Sequence, residues 1–209
     1  RLHCARLSSE STITGSTTIT GNVALTGTGI IKGYTAITGA VSGSGSVDPG
    51  NSPGLATAGQ IDPSGGMAFN FELTVPGAPD FANLSAIGND VLRLTDAAPF
   101  TAALSAANAI NLYLSSTAFN GGNTDIQGGF FTDLLASADL QSDVDNGLLH
   151  IFVADPSGGA TYNGDTYEPL DLAQYSFDFP AVAPYAHFGA GSSAARREGP
   201  ECRSQWSPS

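Results

Sequence analysis

The sequence predicts an all-β protein: a short right-handed parallel β-helix, or β-solenoid, followed by a β-rich segment with one short helix. Three observations point there. Glycine recurs every six residues near the start. The composition favours turns and β-branched side chains over charge. Two closely spaced Pro-Gly steps end the repeat.

The repeat carries most of the weight. Glycines stand at Gly15, Gly21, Gly27, Gly33, Gly39 and Gly45. Two residues before the first five stand Ile13, Ile19, Leu25, Ile31 and Ile37; the sixth unit has Gly43 instead. Between aliphatic and glycine come Thr14, Thr20, Thr26, Lys32, Thr38 and Ser44. Six is a multiple of two and not of 3.6, so a strand keeps all these aliphatics on one face while a helix scatters them. Thr17, Val23, Gly29, Thr35 and Val41 fall on that same face. The Thr and Ser between them point out. Glycine answers the turns, where positive φ or close backbone approach is needed. Short strands turned at constant intervals stack so that each coil buries its neighbour's aliphatics. The run is short for a left-handed hexapeptide helix and ordinary for the end of a right-handed one.

Composition sets limits on function. Charged residues are 12 % of the chain, against 26 glycines and 41 % hydrophobic residues, among which alanine is the commonest. That suits a β-protein with many turns. The net charge is −12, and between residues 7 and 195 only Lys32 and Arg93 oppose the acids. Such a body repels phosphate backbones and anionic lipid, which argues against nucleic-acid partners and electrostatic membrane binding. No stretch reaches the ~20 apolar residues of a membrane span. Cys4 and Cys202 sit in the terminal segments and cannot make a zinc site alone. Acidity with low Lys suits a secreted or cell-surface protein, whose export signal would lie upstream of Arg1.

The stretch Asp48-Pro49-Gly50-Asn51-Ser52-Pro53-Gly54 forces consecutive tight turns. It resembles the PGNSPG turn of bacterial autotransporter-associated β-strand repeat proteins, including secreted members with a C-terminal sorting tag. Further similar segments follow in order. They are Met67-Ala68-Phe69-Asn70-Phe71-Glu72-Leu73, Asn89-Asp90-Val91-Leu92-Arg93-Leu94 and Ile110-Asn111-Leu112-Tyr113-Leu114. After them come Gly128-Gly129-Phe130-Phe131-Thr132-Asp133 and Thr161-Tyr162-Asn163-Gly164-Asp165-Thr166-Tyr167. The resemblance covers roughly residues 47–170. It implies a passenger-like, surface-exposed protein defined by its repeats and not by a reaction.

Residues 1–10 are expected to be disordered, 11–60 to form the solenoid, 61–188 the β-rich segment, and 189–209 a disordered tail. Within the second segment, alternation predicts strands at 67–75, 90–95, 109–114 and 148–153, with a last one at 175–179. Phe100 to Ala109 reads as a loop or helical turn. Phe131 to Leu140 is the best helix candidate, capped by Thr132 or Asp133.

Chemistry-bearing motifs are sparse. There is no nucleophile elbow, His-Glu-x-x-His or phosphate loop. His3 and His187 lie near the ends, and His150 alternates to the outer side of its strand. A glycosidase would need two carboxylates across a groove, and a lyase a basic residue, for which the body offers Lys32 and Arg93 alone; Arg93 has Asp90 and Glu72 as nearby acids. Asp139, Asp143, Asp145 and Asn146 before Gly147, with Asp155 beyond, form an oxygen-rich stretch that could hold Ca²⁺. It lacks one residue of the usual loop spacing and reads equally as an Asn-Gly turn. Thr-Ile-Thr triplets at 12–14 and 18–20 suggest an ice-ordering face, but Ala24, Ile30, Lys32 and Ala36 interrupt it. No catalytic, cofactor or metal residue is therefore assigned. The expected function is a secreted or cell-surface structural or adhesive protein, not an enzyme, whose partners would be surface glycans or neighbouring surface proteins. A carbohydrate-active β-helix enzyme and a Ca²⁺-dependent glycan-binding module are the alternatives.

Overall fold

The computed structural model describes residues 11–50, 53–74, 88–98, 100–119 and 147–171 in full, and the backbone of five further strands. The chain is mostly strand, with one short α-helix. Parallel pairing dominates three sheets. Ten short strands come first: β1 (Cys4–Leu7), β2 (Thr12–Ile13), β3 (Thr17–Ile19), β4 (Asn22–Leu25), β5 (Ile30–Gly33), β6 (Thr35–Ile37), β7 (Ala40–Gly43), β8 (Ser46–Pro49), β9 (Leu55–Ala58) and β10 (Gln60–Asp62). Then follow β11 (Ala68–Leu73), β12 (Val91–Leu94), β13 (Ala109–Leu114), α1 (Ser116–Phe119), β14 (Thr124–Thr132), β15 (Leu149–Ala154), β16 (Ala160–Tyr162), β17 (Asp165–Pro169), β18 (Tyr175–Asp178), β19 (Ala181–Val182) and β20 (Tyr185–Ser192).

Strand order explains the six-residue period. Sheet A runs β1-β4-β7-β10, sheet B β16-β17-β15-β13-β11-β8-β5-β2, and sheet C β18-β20-β14-β12-β9-β6-β3. From β2 to β10 the chain therefore visits sheets B, C and A in turn. Thr12 faces Ile30, Thr17 faces Thr35 and Val23 faces Val41 in parallel register. Each step is three six-residue units. One unit supplies one strand, and three units return the chain to the same sheet.

The aliphatic row points inward as its spacing requires. Val23, Leu25, Ile31, Ile37 and Val41 are buried, and Thr35 is buried among them. Ile13 and Ile19, on the end strands of their sheets, are partly buried against the same cluster. That cluster continues through Phe69, Phe71, Ile110 and Leu112 to Leu149 and Ile151. Fully burying a side chain of this size contributes roughly 1.5–3 kcal/mol. At the far end, pairing turns antiparallel: β17 on β15, and β20 on β14.

The outward Thr and Ser do more than favour strands and solubility. The Gly21 amide donates to the Thr38 hydroxyl at 3.0 Å, and the Gly27 amide to the Ser44 hydroxyl at 3.1 Å. Each bond joins two turns 17 residues apart in the chain. Thr38→Val keeps the shape and removes the acceptor, so it should lower stability by about 1 kcal/mol in urea unfolding; an unchanged midpoint would deny the bond a role.

Several expected elements appear close to their predicted bounds. They are β11, β12, β13, β15 and β18. The helix differs. Phe131 and Thr132 close strand β14, and residues 133–140 lie outside the described residues. The helix that is described is α1, started by the Ser115 hydroxyl, which accepts from the Ala118 amide at 3.0 Å. Strand β1 lies inside the segment expected to be disordered, paired with β4 so that Leu7 faces Leu25. Strand β20 extends to Ser192, past the expected boundary at 188; residues 193–209 lie outside the described residues. No helix among the described residues is long and apolar enough to cross a membrane.

Candidate functional site

The outer face of sheet B gathers the polar and aromatic side chains that the sequence scatters. Inward residues of its strands alternate with outward ones, and parallel register stacks the outward ones into columns. One column is Lys32, Asp48, Asn70, Asn111 and His150, one residue from each of β5, β8, β11, β13 and β15. Lys32 faces Asp48, Asn70 faces Asn111, and Asn111 faces His150; Asn70 follows Phe69, which faces Val47. Two residues further along the strands, Glu72, Tyr113 and Phe152 form a second column.

A hydrogen-bonded ladder runs down the first column. The Asn70 amide donates to Asp48 Oδ1 at 2.7 Å. The Asn111 amide donates to Asn70 Oδ1 at 2.7 Å, and Asn111 Oδ1 lies 3.0 Å from His150 Nδ1. As a carboxylate, Asp48 only accepts, which orients Asn70, then Asn111, and leaves Nδ1 of His150 as a donor. His150 is exposed, as its alternation predicts, while Asp48 is buried.

The hairpin β16–β17 lies over the second column. It turns at Asn163-Gly164, both at positive φ (52° and 96°), the pairing favoured by tight hairpin turns. Tyr162 stacks on Tyr113 with centroids 4.0 Å apart, and Tyr113 stacks on Phe152 at 5.0 Å. The Tyr167 ring meets Tyr113 edge-on. The Asn163 amide donates to Glu72 Oε2 at 3.0 Å, and the Lys32 ammonium donates to Asn163 Oδ1. Lys32 also lies 5.9 Å from the Tyr162 ring centre, within cation–π reach. The residue that interrupts the Thr array is thus the fastening point for a hairpin 131 residues away.

Three carboxylates lie beneath this cover: Asp48, Glu72 and Asp90. Asp90 accepts the Gly54 amide on one oxygen and the Glu72 amide on the other, both at 2.7 Å. Both of its oxygens therefore serve backbone amides. Burial pushes the Asp90 carboxyl well above the usual carboxylate range, with repulsion from Glu72 and Asp48 adding to it. Burial also raises Asp48, against hydrogen bonds from Asn70 and Ser46 and the nearby Lys32 charge. Burial lifts the Tyr162 phenol, and it lifts that of Tyr167 to about 12.

These directions set a pH dependence. A carboxyl raised in the native state holds its proton there more tightly than in the unfolded chain. Its stabilising contribution is complete below the unfolded value of 3.8 and is lost as pH rises through the native value. Asp62 and Asp155 are lowered by hydrogen bonds from Ser64 and Ser157 and titrate only below that window. The melting temperature should therefore be higher at pH 5 than at pH 7.5, measured in buffers of equal ionic strength. A higher value at pH 7.5 would contradict the raised carboxyls.

The Ca²⁺ stretch falls mostly outside the described residues, which exclude Asp139, Asp143, Asp145 and Asn146. Gly147 is described, at φ 72°. Asp155 Oδ1 accepts from the Ser157 amide and hydroxyl, both at 2.7 Å, within its own turn. Among the described residues no group of three or more His, Cys, Asp or Glu could hold a metal ion. His3, His187 and Cys202 have no described side chains, and Cys4 is known only as part of β1. No protein-family model matches the chain, and no curated protein or solved structure matches it.

Proposed function

We propose that the protein is a secreted or cell-surface structural and adhesive β-solenoid without catalytic activity, akin to the autotransporter-associated β-strand repeat proteins. The observation that carries this reading is the register: parallel partners three six-residue units apart on each of three sheets. Such a repeat makes a stiff rod from local contacts, and right-handed crossovers are the strong default between parallel strands. The low charge and net acidity suit an extracellular surface. A carbohydrate-active alternative gains nothing from Asp48 and Asp90, which are buried and hydrogen-bonded to an amide side chain and to backbone amides.

The test combines adhesion with turnover. Purified protein coated on beads should hold to bacterial or host-cell surfaces in a saturable way. It should release no reducing sugar or unsaturated product from a polysaccharide panel. Measurable turnover that survives repurification would remove the structural reading, and absence of adhesion would leave only a scaffold.

A further inference from the structure

We infer that the strip formed by Asn70, Asn111 and His150 on sheet B is a binding site for a linear, uncharged polysaccharide lying along the stacking direction of the strands. The inference rests on the adhesive reading and gives it a surface and a ligand class. Four features of the strip carry it.

The first is spacing. Adjacent strands lie about 4.7–4.9 Å apart, so one column presents a polar group at each such step. That step is of the order of the rise per sugar in an extended polysaccharide. The second is valence. A side-chain amide has two N–H donors and two acceptor lone pairs. The ladder uses one N–H and one lone pair of Asn70 and the same of the Asn111 donor group, with Asn111 Oδ1 facing His150. Each amide keeps an N–H outside the ladder. His150, exposed and with Nδ1 turned to Asn111, directs Nε2 away from it. Donors and acceptors alternating at one spacing suit sugar hydroxyls, which do both.

The third is shape. On one flank of the strip stand the small outward side chains Ala68 and Ala109, which face each other in register. On the other stands the wall of Tyr113, Phe152 and Tyr162, stacked face to face. Tyr113 stacks on both of the others, and the Lys32 ammonium lies 5.9 Å from the Tyr162 ring, so the stack bounds the strip as a side wall. The fourth is charge. The chain is strongly acidic and the strip carries no fixed charge, so uronate and sulfated polymers are repelled while neutral ones are not.

The experiment is affinity electrophoresis of the whole protein through gels containing soluble xylan, mixed-linkage β-glucan or glycol chitin, with pectate and heparin as polyanions. Wild type should be retarded by at least one neutral polymer and by neither polyanion. His150→Ala and Ala109→Arg, both outward substitutions, should weaken that binding tenfold or more without moving the melting temperature. Asn111→Ala should weaken binding and also lower stability. The inference is overturned if no neutral polymer retards wild type, or if both outward variants bind like wild type. Saturable adhesion to cells with no retardation by any polymer would sink the strip while leaving the adhesive reading standing. Loss of both would remove the two together.

Discussion

Gly43→Ala should remove a large part of the protein's stability, while Gly15→Ala leaves a cooperative fold. Both glycines belong to the repeat, and both have positive φ, 109° and 76°. They differ in what a methyl group would meet. At Gly15 nothing lies within 4 Å of an added Cβ. The cost there is conformational, about 1–2 kcal/mol for a non-glycine residue in left-handed space. At Gly43 the Cβ would fall 1.8 Å from the Leu25 carbonyl oxygen. Leu25 is its partner in sheet A, and the same carbonyl accepts the Ser44 amide at 3.2 Å. Backbone cannot rotate away as a side chain can, so β4 and β7 must separate. Gly45 isolates the second effect. Its φ lies outside the left-handed region, yet a Cβ there would lie 2.0 Å from the Gly29 oxygen. Overpacking of this kind costs about 1–3 kcal/mol. Gly43→Ala combines both penalties, about 2–5 kcal/mol together, a large part of a typical domain's stability. Urea midpoints should fall in the order Gly15→Ala, Gly45→Ala, Gly43→Ala, the last lowest. Equal midpoints for Gly43→Ala and Gly15→Ala would mean that close stacking at Leu25 does not constrain the fold.

The same contrast shows what the sequence makes legible. Ile13 to Ile37 could be read because six residues per strand keep an aliphatic at every sixth position without insertions. Leu7 continues that frame, six residues before Ile13, and could have located β1; its neighbours Ser8 and Ser9 lack the glycine that marks the other units. At β8 the frame breaks. Lys32 faces Asp48 only 16 residues on, while Asn70 faces Asn111 and Asn111 faces His150 across 41 and 39 residues. Loops of differing length now separate the strands, so each strand remains readable from its own alternation but its partner does not. The ladder on sheet B is invisible for that reason. Lys32 reads as a flaw in a Thr array because its partners, Asn163 and Tyr162, come from the far end of the chain. The short helix α1 has only four residues, too few for a periodic signal, and its one local mark is the Ser115 cap. Asp90 could not be read as a backbone acceptor, because the Gly54 and Glu72 amides it accepts lie 36 and 18 residues earlier in the chain.

Asp90→Ala should lower stability by about 2–4 kcal/mol at pH 7, because it strips acceptors from two backbone amides at once. The Gly54 amide belongs to the Pro-Gly turn after β8, and the Glu72 amide to β11, so one carboxylate ties the turn to the strand. A buried donor left without a partner costs about 1–3 kcal/mol. Against that, removing the charge relieves its own desolvation and its repulsion with Glu72 and Asp48. The two donors outweigh the relief because a carboxyl raised by burial can take up a proton in place of its charge, whereas an amide cannot shed its N–H. Asp90→Asn separates the contributions. It keeps one oxygen acceptor and turns an NH₂ toward the other amide, so it should still destabilise, by about 1–3 kcal/mol. It also removes the titration. The fall in melting temperature between pH 5 and pH 7.5 should be smaller in Asp90→Asn than in wild type, with a residual slope from Asp48. An unchanged slope with reduced stability would assign the pH dependence to Asp48 alone. A variant more stable than wild type at pH 7.5 would show that the buried charge, and not the loss of amide partners, dominates at this position.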